Sequence, residues 1–194
     1  MGNRVEPTAC VILGRFQPVH RGHAFLIEGA NNWRLKYRPD LELRIAVGSV
    51  NKPRDLRNPW NYDERREMLR AALDEMGLIS DIVPVPDIDD PPNWVKHAEA
   101  YHGGPGALVT TDQLTAKLYS DSGWEVALLE YHDREDLVGW RVRETLRMMS
   151  TISDEDAIHE VLSKTMQKPV IDKMIQMDAV RRLAFMGEGG EPVG

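Results

Sequence analysis

The sequence is poor in cysteine, in aromatic residues and in long apolar segments. Cys10 is the one cysteine among 194 residues, and aromatic residues make up 7%, so no disulfide can form within the chain and a reducing compartment is favoured. No segment approaches the length of an apolar membrane span, and the residues before Ala9 lack the apolar core of a secretory signal. These absences predict a cytoplasmic protein.

An excess of positive charge is also lacking. The formal net charge of −7 disfavours a general binder of nucleic acid or of anionic membranes, because both kinds of binding need a summed positive field. An anionic substrate would have to be met by local basic clusters. The length is enough for a buried core. We expect an α/β domain over residues 1–150 and a C-terminal helical extension over residues 151–194 that packs on the same domain.

A strand, a polar turn and a helix follow one another near the start of the chain. The apolar run from Ala9 stops at Gly14, and helical spacing begins near Gly22. The beginning of a helix offers unpaired backbone N–H groups and the positive end of the helix dipole, which favour a bound anion. Four basic side chains stand around this point: Arg15, His20, Arg21 and His23. The pattern indicates a phosphate site, to which the side chains add donors and positive charge.

Strands and helices alternate through most of the chain. Short apolar runs predict further strands at residues 43–47, 81–85, 107–109 and 125–129. Asn61 and Glu64 form a capping-box pattern before a helix that Gly77 ends, Pro84 suggests an edge strand, and Ser153 is expected to cap a short helix. The alternation predicts a doubly wound parallel α/β sheet, which is Rossmann-like.

The segment after the second strand holds Lys52, Arg54 and Arg57. In open parallel sheets, ligands bind beyond the carboxyl ends of the strands. The position of these cations therefore favours a role in binding an anionic ligand, and a solvated basic loop with no ligand is the alternative.

The acidic run that includes Asp87 and Asp89 has no second ligand set at metal-binding spacing. No metal site formed by the protein is therefore expected there.

The stretch from Gly14 to His23, Gly-Arg-Phe-Gln-Pro-Val-His-Arg-Gly-His, resembles the signature of the nucleotidylyltransferase superfamily. Its opening is similar to that of the nicotinamide mononucleotide (NMN) adenylyltransferases, especially the archaeal type. The resemblance implies that His20 and His23 contact the phosphates of ATP, with His23 chiefly at the α-phosphate. It also implies that the loop binds the nucleotide through Gly14, Arg15, Phe16, Gln17 and Gly22.

Three further segments carry the resemblance. Gly48 and Ser49 resemble the family's glycine-serine pair, and Arg57 matches an arginine that holds the ATP phosphates. Asp87 and Trp94 are similar to the family residues at the nicotinamide, where Trp94 would stack on the ring and Asp87 or nearby backbone would bind the carboxamide. Packing of Trp94 in the core is the alternative. Thr110-Thr111-Asp112 stands where the family usually has Ser-Gly-Asn, and despite this departure the threonine hydroxyls, that of Thr111 included, could still serve the nucleotide.

A second phosphate-binding helix start is implied at residues 138–143. The family pattern there is Ser-Gly-Thr-x-Ile-Arg, and Gly139 and Arg143 match it in register. Val138 and Trp140 replace the two hydroxyl residues, whereas Arg141 adds a cation. Loss of one preorganised donor can lower a rate by about 10²–10³, so these replacements bear on the activity.

The resemblance implies that AMP passes from ATP to NMN, with Mg²⁺ accompanying ATP, giving NAD and pyrophosphate. We also expect a homo-oligomer, and the net charge and the lack of an apolar span predict that it binds neither nucleic acid nor membrane. The implied catalytic residues are His20, His23, Arg57 and Arg143. Two alternatives stay open at this point. One is an adenylyl or cytidylyl transferase for another phosphorylated acceptor such as phosphopantetheine. The other is a non-catalytic nucleotide sensor.

Overall fold

The computed structural model describes residues 8–130 and 137–187, and in these residues five strands form one fully parallel sheet. The strands are β1 (Ala9–Gly14), β2 (Glu42–Val47), β3 (Asp81–Pro84), β4 (Ala107–Thr110) and β5 (Glu125–Leu128). Their spatial order is β3-β2-β1-β4-β5. The predicted doubly wound parallel sheet is confirmed, and Pro84 lies in an edge strand as its position in the sequence suggested.

Helices follow the strands in the predicted alternation. They are α1 (Arg21–Tyr37), α2 (Tyr62–Met76), α3 (Trp94–His102), α4 (Gln113–Asp121), α5 (Gly139–Met149), α6 (Glu155–Leu162) and α7 (Lys168–Gln176). Short 3-10 turns cover Pro91–Asn93 and Arg181–Phe185. Within the described ranges, none of these helices has the length and apolar character needed to cross a bilayer.

The helix ends show how the local sequence sets the elements. The predicted capping box of α2 is confirmed, with Asn61 and Glu64 each accepting the other's backbone N–H, and Gly77 ends the helix in the left-handed conformation. The predicted cap of α6 was wrong by one residue. Asp154, not Ser153, accepts the N–H groups of Asp156 and Ala157, because the helix begins one residue later than predicted, and a carboxylate at this position also suits the positive helix end.

Contacts divide the described residues into two compact units. The sheet unit comprises residues 8–15, 23–51 and 78–130, and the helical unit comprises residues 16–22, 52–77 and 137–187. The sheet unit holds the five described strands, most of α1, α3 and α4, and the helical unit holds α2, α5, α6 and α7. The predicted domain boundary at residue 150 stays a prediction.

The core of the sheet unit is apolar around β1. Val11, Leu108, Tyr119 and Trp124 are buried in one cluster. Cys10 is fully buried in β1, where burial raises the pKa of its thiol to about 12. The thiol is therefore protonated at neutral pH and acts as a packing group, because only the thiolate is reactive.

A buried polar network lies at the edge of this core. His102 is fully buried, and its Nδ1 lies 2.7 Å from the carbonyl of Gly103 and its Nε2 lies 2.8 Å from the hydroxyl of Tyr119. A carbonyl only accepts, so Nδ1–H donates to it and Nε2 accepts from Tyr119. Arg44 Nη1 donates to the carbonyl of His102 over 2.9 Å. Burial lowers the pKa of His102 and so favours the neutral imidazole, in which Nε2 accepts from the Tyr119 hydroxyl.

Acid is expected to destabilise the protein through His102. Its pKa lies below the ordinary value of 6.5 in the folded chain, so the unfolded chain binds more protons as the pH falls through 6.5. The contribution of His102 is fully present above that pH and is lost below it. Urea unfolding at pH 7.5 and pH 5.5 should show a lower free energy of unfolding at the acid pH, and part of that decrease comes from this group.

The matched variant is His102→Gln, whose amide can donate and accept like the neutral imidazole but does not titrate. Its free energy of unfolding should change less between the two pH values than that of the wild type. An equal change in both proteins would contradict the assignment to His102.

Candidate functional site

The loop after β1 is held in place by its own backbone and by residue 60. Phe16 is buried and has a positive φ of 51°, an uncommon conformation for a residue with a side chain. The Gln17 amide donates from Nε2 to the carbonyl of Trp60 over 2.8 Å and accepts the Trp60 N–H over 3.2 Å. Gln17 therefore positions this loop against the residue that precedes the capping box of α2.

His20 lies directly before α1 and is 7% exposed. The pKa of the His20 imidazole is lowered to about 4, mainly by burial and to a smaller extent by the positive charge of Arg143. The prediction that His20 adds positive charge was therefore wrong, because the imidazole is neutral at neutral pH. Gly22 provides the space for this ring, since a Cβ at residue 22 would lie 3.1 Å from two of its atoms. The structure thus makes His20 a neutral hydrogen-bonding group.

Arg21 anchors the C-terminal helices. Its guanidinium donates twice to the carbonyl of Ser163, over 3.0 and 2.9 Å, and its backbone N–H donates to Thr165. The expectation that Arg21 adds charge at the phosphate site stays a prediction, because the contacts with Ser163 use its Nε and Nη2 donors and leave its charge unchanged. Arg15 is exposed, and His23 is half-buried in the first turn of α1.

A groove of about 190 Å³ lies along the start of α5 in the helical unit. It is lined by Leu56, Arg57, Trp140, Arg143, Glu144, Arg147 and Leu183. The structure therefore brings together Arg57 and Arg143, which lie 86 residues apart in the sequence (143 − 57). Sequence reasoning missed Arg147, although its spacing of four residues from Arg143 on a helix was an available signal.

Arg143 joins this groove to the loop after β1. Its Nη1 donates to the carbonyl of Gln17 over 2.6 Å. A Cβ at Gly139 would lie 3.3 Å from that same Nη1, so the glycine at the start of α5 leaves room for the guanidinium. Val138 occupies the N-cap position without a side-chain hydrogen bond. Arg141 lies outside the groove lining, with its guanidinium 5.4 Å from the ring centre of Trp140.

Glu64 holds the segment that carries Arg57. One carboxylate oxygen of Glu64 accepts from Arg54 over 2.9 Å and from the N–H of Asn61, and the other accepts from Arg182 over 2.6 Å. The side chain of Glu64 is 14% exposed. Charge-assisted hydrogen bonds of this kind are stronger than those between neutral groups. Residues 54, 61 and 182 are therefore fixed to one carboxylate.

Substituting Glu64→Gln is expected to lower the free energy of unfolding by about 1–2 kcal/mol, because two cations lose their charged partner while the size of the side chain is kept. Urea unfolding measures the change. The control is Glu67→Gln on the same helix, where an exposed pair with Arg70 should contribute less than about 0.5 kcal/mol. Equal effects of the two substitutions would contradict the role given to Glu64.

In the sheet unit, a polar cluster joins the ends of β2 and β3. The carbonyl of Gly14 accepts the N–H of Gly48 over 2.9 Å. Ser49 Oγ donates to Asp87 Oδ2 over 2.8 Å, and the Asn51 side chain both donates to the Asp87 carbonyl and accepts its N–H. Ser49 thus fixes the carboxylate of Asp87, and Asn51 fixes its backbone. No motif or spacing in the sequence points to Asn51.

Trp94 begins α3 and is half-buried against the core, with its ring edge-on to Tyr119 at 6.2 Å. Trp94 therefore packs against the core, as the alternative prediction had it. Part of its side chain remains accessible to solvent. Thr111 follows β4 and is half-buried. Its neighbour Asp112 caps α4 by accepting the N–H of Thr115, as an N-cap side chain does.

The donors found here suit anions better than a resident metal ion. Arg57, Arg143 and Arg147 line the groove. Across residues 8–130 and 137–187, no group of three or more His, Cys, Asp or Glu side chains has an arrangement that could hold a metal ion.

The described residues form an α/β protein with a Rossmann-like parallel sheet and, in the helical unit, a groove lined by three guanidinium groups. The chain belongs to the cytidylyltransferase-like family, whose model matches residues 11–166. It is 37% identical over 133 residues to the nicotinamide-nucleotide adenylyltransferase of Ignicoccus hospitalis, covering 67% of this chain and 74% of that protein. It is 28% identical over 182 residues to the enzyme of the same name from Picrophilus torridus, covering 93% and 98%.

The fold is also that of a larger solved protein. The bifunctional NMN adenylyltransferase/ADP ribose pyrophosphatase from Francisella tularensis, crystallised with AMP and a manganese ion, superposes with a TM-score of 0.64 at 17% identity. The match covers 93% of this chain, which spans 52% of that protein. At this identity the likeness shows the fold alone.

Proposed function

We propose that this chain is a nicotinamide-nucleotide adenylyltransferase, which transfers AMP from ATP to NMN and releases pyrophosphate. The similarity to archaeal enzymes of that name along most of the chain supports the reaction. The observation that carries it is the convergence of Arg57 and Arg143 in one groove, with Arg143 close enough to lower the pKa of His20. The chain thereby offers a cluster of donors for a polyphosphate.

The reaction requires positioning and charge neutralisation more than acid–base catalysis. A phosphate oxygen of NMN, already anionic at neutral pH, forms a bond to the α-phosphorus of ATP. The bond from that phosphorus to the bridging oxygen breaks, and pyrophosphate leaves with the electron pair. Such a transfer is promoted by aligning the reactants and by placing donors where negative charge grows.

The two histidines have different parts in this proposal. His20 is a neutral donor to the phosphates, because its buried imidazole has a pKa of about 4. His23 stands in the first turn of α1, where the helix dipole favours negative charge, and we assign it to the α-phosphate. Arg57 and Arg143 would hold the β- and γ-phosphates, which become the leaving group.

The acceptor would be recognised through Asp87 and Trp94. The carboxylate of Asp87 is oriented by Ser49 and can accept from the carboxamide of nicotinamide. The accessible portion of Trp94 can contact the pyridinium ring, a cation on an aromatic face. Mg²⁺ is expected to arrive with ATP as part of the substrate and to shield the phosphate charges. The proposal includes a cytoplasmic location and a homo-oligomeric state.

A comparison of acceptors tests the proposal. The protein is incubated with ATP and Mg²⁺ and with NMN, nicotinic acid mononucleotide or phosphopantetheine, and the adenylylated product is measured. Preference for a pyridine mononucleotide is expected. Preference for phosphopantetheine, or product from CTP in place of ATP, would favour a different transferase. The non-catalytic sensor, which the loss of hydroxyl groups at Val138 and Trp140 favours, would bind ATP without forming product.

A further inference from the structure

We propose that Arg147 is an additional binding residue for the leaving pyrophosphate. The inference rests on the proposed function and extends it to a residue outside the motif that matches the family. Arg147 lies four residues beyond Arg143 on α5 and lines the same groove. Residues four apart on a helix lie on one face, so two guanidinium groups follow each other along this wall.

The charge of the groove suits a compact polyanion. Its lining contains three guanidinium groups, from Arg57, Arg143 and Arg147, and one carboxylate, from Glu144. The sum is two positive charges (3 − 1) in a space of about 190 Å³. Pyrophosphate carries several negative charges on neighbouring oxygen atoms, and guanidinium groups bind such oxygens through paired N–H donors.

The other lining residues add no opposing charge. Leu56, Trp140 and Leu183 complete the lining and carry no anionic group. Arg57 and Arg147 are exposed, so both guanidinium groups are within reach of an anion that enters from solution.

Arg143 and Arg147 make different contributions. Arg143 Nη1 is bound to the carbonyl of Gln17, so part of the Arg143 donor set positions the loop after β1. Arg147 lies two turns beyond Gly139, the first residue of α5. We assign Arg147 to the end of the phosphate chain that departs, and Arg143 to the phosphates nearer the transferred group.

The reverse reaction isolates this role. In that direction pyrophosphate attacks the α-phosphorus of NAD, the bond to the NMN phosphate breaks, and ATP and NMN form. Arg147→Gln is expected to raise the KM for pyrophosphate about 10-fold, which is the size of one lost charge-assisted contact. The KM for NAD should stay within about twofold, and in the forward direction the KM for ATP should rise while the KM for NMN does not.

Two further variants serve as controls. Arg147→Lys retains the charge without the planar fork and should raise the KM for pyrophosphate by an intermediate factor. Arg70→Gln removes an arginine of α2 that pairs with Glu67 and should leave every kinetic constant unchanged. Thermal unfolding of all three variants near the wild-type temperature would exclude a purely structural role for Arg147.

The inference fails if Arg147→Gln leaves the KM for pyrophosphate unchanged or raises the KM values for pyrophosphate and NMN together. Calorimetry with inorganic pyrophosphate and no nucleotide provides an independent readout, in which Arg147→Gln should bind about 10-fold more weakly than the wild type. If the wild type makes no NAD, the proposed function is wrong, and calorimetry still decides whether Arg147 holds pyrophosphate. If the wild type is active and both readouts are unchanged, only the role of Arg147 is wrong.

Discussion

Arg143→Ala is expected to lower kcat/KM for ATP by about 10²–10³. The guanidinium lines the groove and also fixes the carbonyl of Gln17, so its removal takes away a phosphate donor and a contact that positions the loop. Steady-state production of NAD at varied ATP measures the effect. Arg143→Lys retains the charge but not the fork geometry and should recover part of the rate.

The same variant has a second readout that is independent of turnover. The positive charge of Arg143 contributes to the low pKa of His20, after burial. In Arg143→Ala the pKa of His20 should rise toward its ordinary value, and an NMR titration of the imidazole follows it. If Arg143→Ala has a near-normal kcat/KM and an unchanged His20 pKa, the placement of Arg143 beside the ATP phosphates and the His20 imidazole is contradicted.

His23→Ala is expected to lower kcat by about 10²–10³ with a smaller change in the KM for ATP. Our assignment puts this imidazole at the α-phosphate, where negative charge grows in the transition state, and loss of such a donor affects kcat more than substrate binding. Single-turnover formation of NAD from saturating ATP and NMN is the appropriate measurement, because it reports the chemical step without product release.

The control is His159→Ala, which removes a histidine of α6 that pairs with Asp172 over 2.9 Å. It is expected to leave turnover unchanged. The account of His23 would be wrong if His23→Ala retained near-normal single-turnover rates, or if the two variants lost activity equally.

The fold was predictable because local patterns and packing agree. The run from Ala9 is apolar because β1 lies at the centre of the parallel sheet, and buried parallel strands are apolar throughout. The pair Asn61 and Glu64 marked the start of α2 through side chains that act within four residues of each other. Ser153 was the wrong cap because Ser153 and Asp154 both have side chains that can accept from the first turn of a helix. The residue that caps the helix depends on where the helix begins, and α6 begins at Glu155.

The candidate site was predictable only in part, because its long-range contacts leave no trace in a short motif. Arg21 belongs to the recognised signature, yet its guanidinium binds the carbonyl of Ser163, 142 residues away. The neutral state of His20 depends on its burial and on Arg143 from a distant helix. Asn51 has sequence neighbours that give no hint of function, and for Arg147 the only available signal was its spacing of four residues from Arg143. Their places follow from the tertiary fold.

The central claim is that the chain joins AMP to NMN and releases pyrophosphate. The most direct test is the stoichiometry of products from ATP and NMN in the presence of Mg²⁺, with NAD and pyrophosphate measured in the same sample. We predict that both form in equal amounts and that neither forms when NMN is left out. Binding of ATP without either product, or release of pyrophosphate without NAD, would contradict the account.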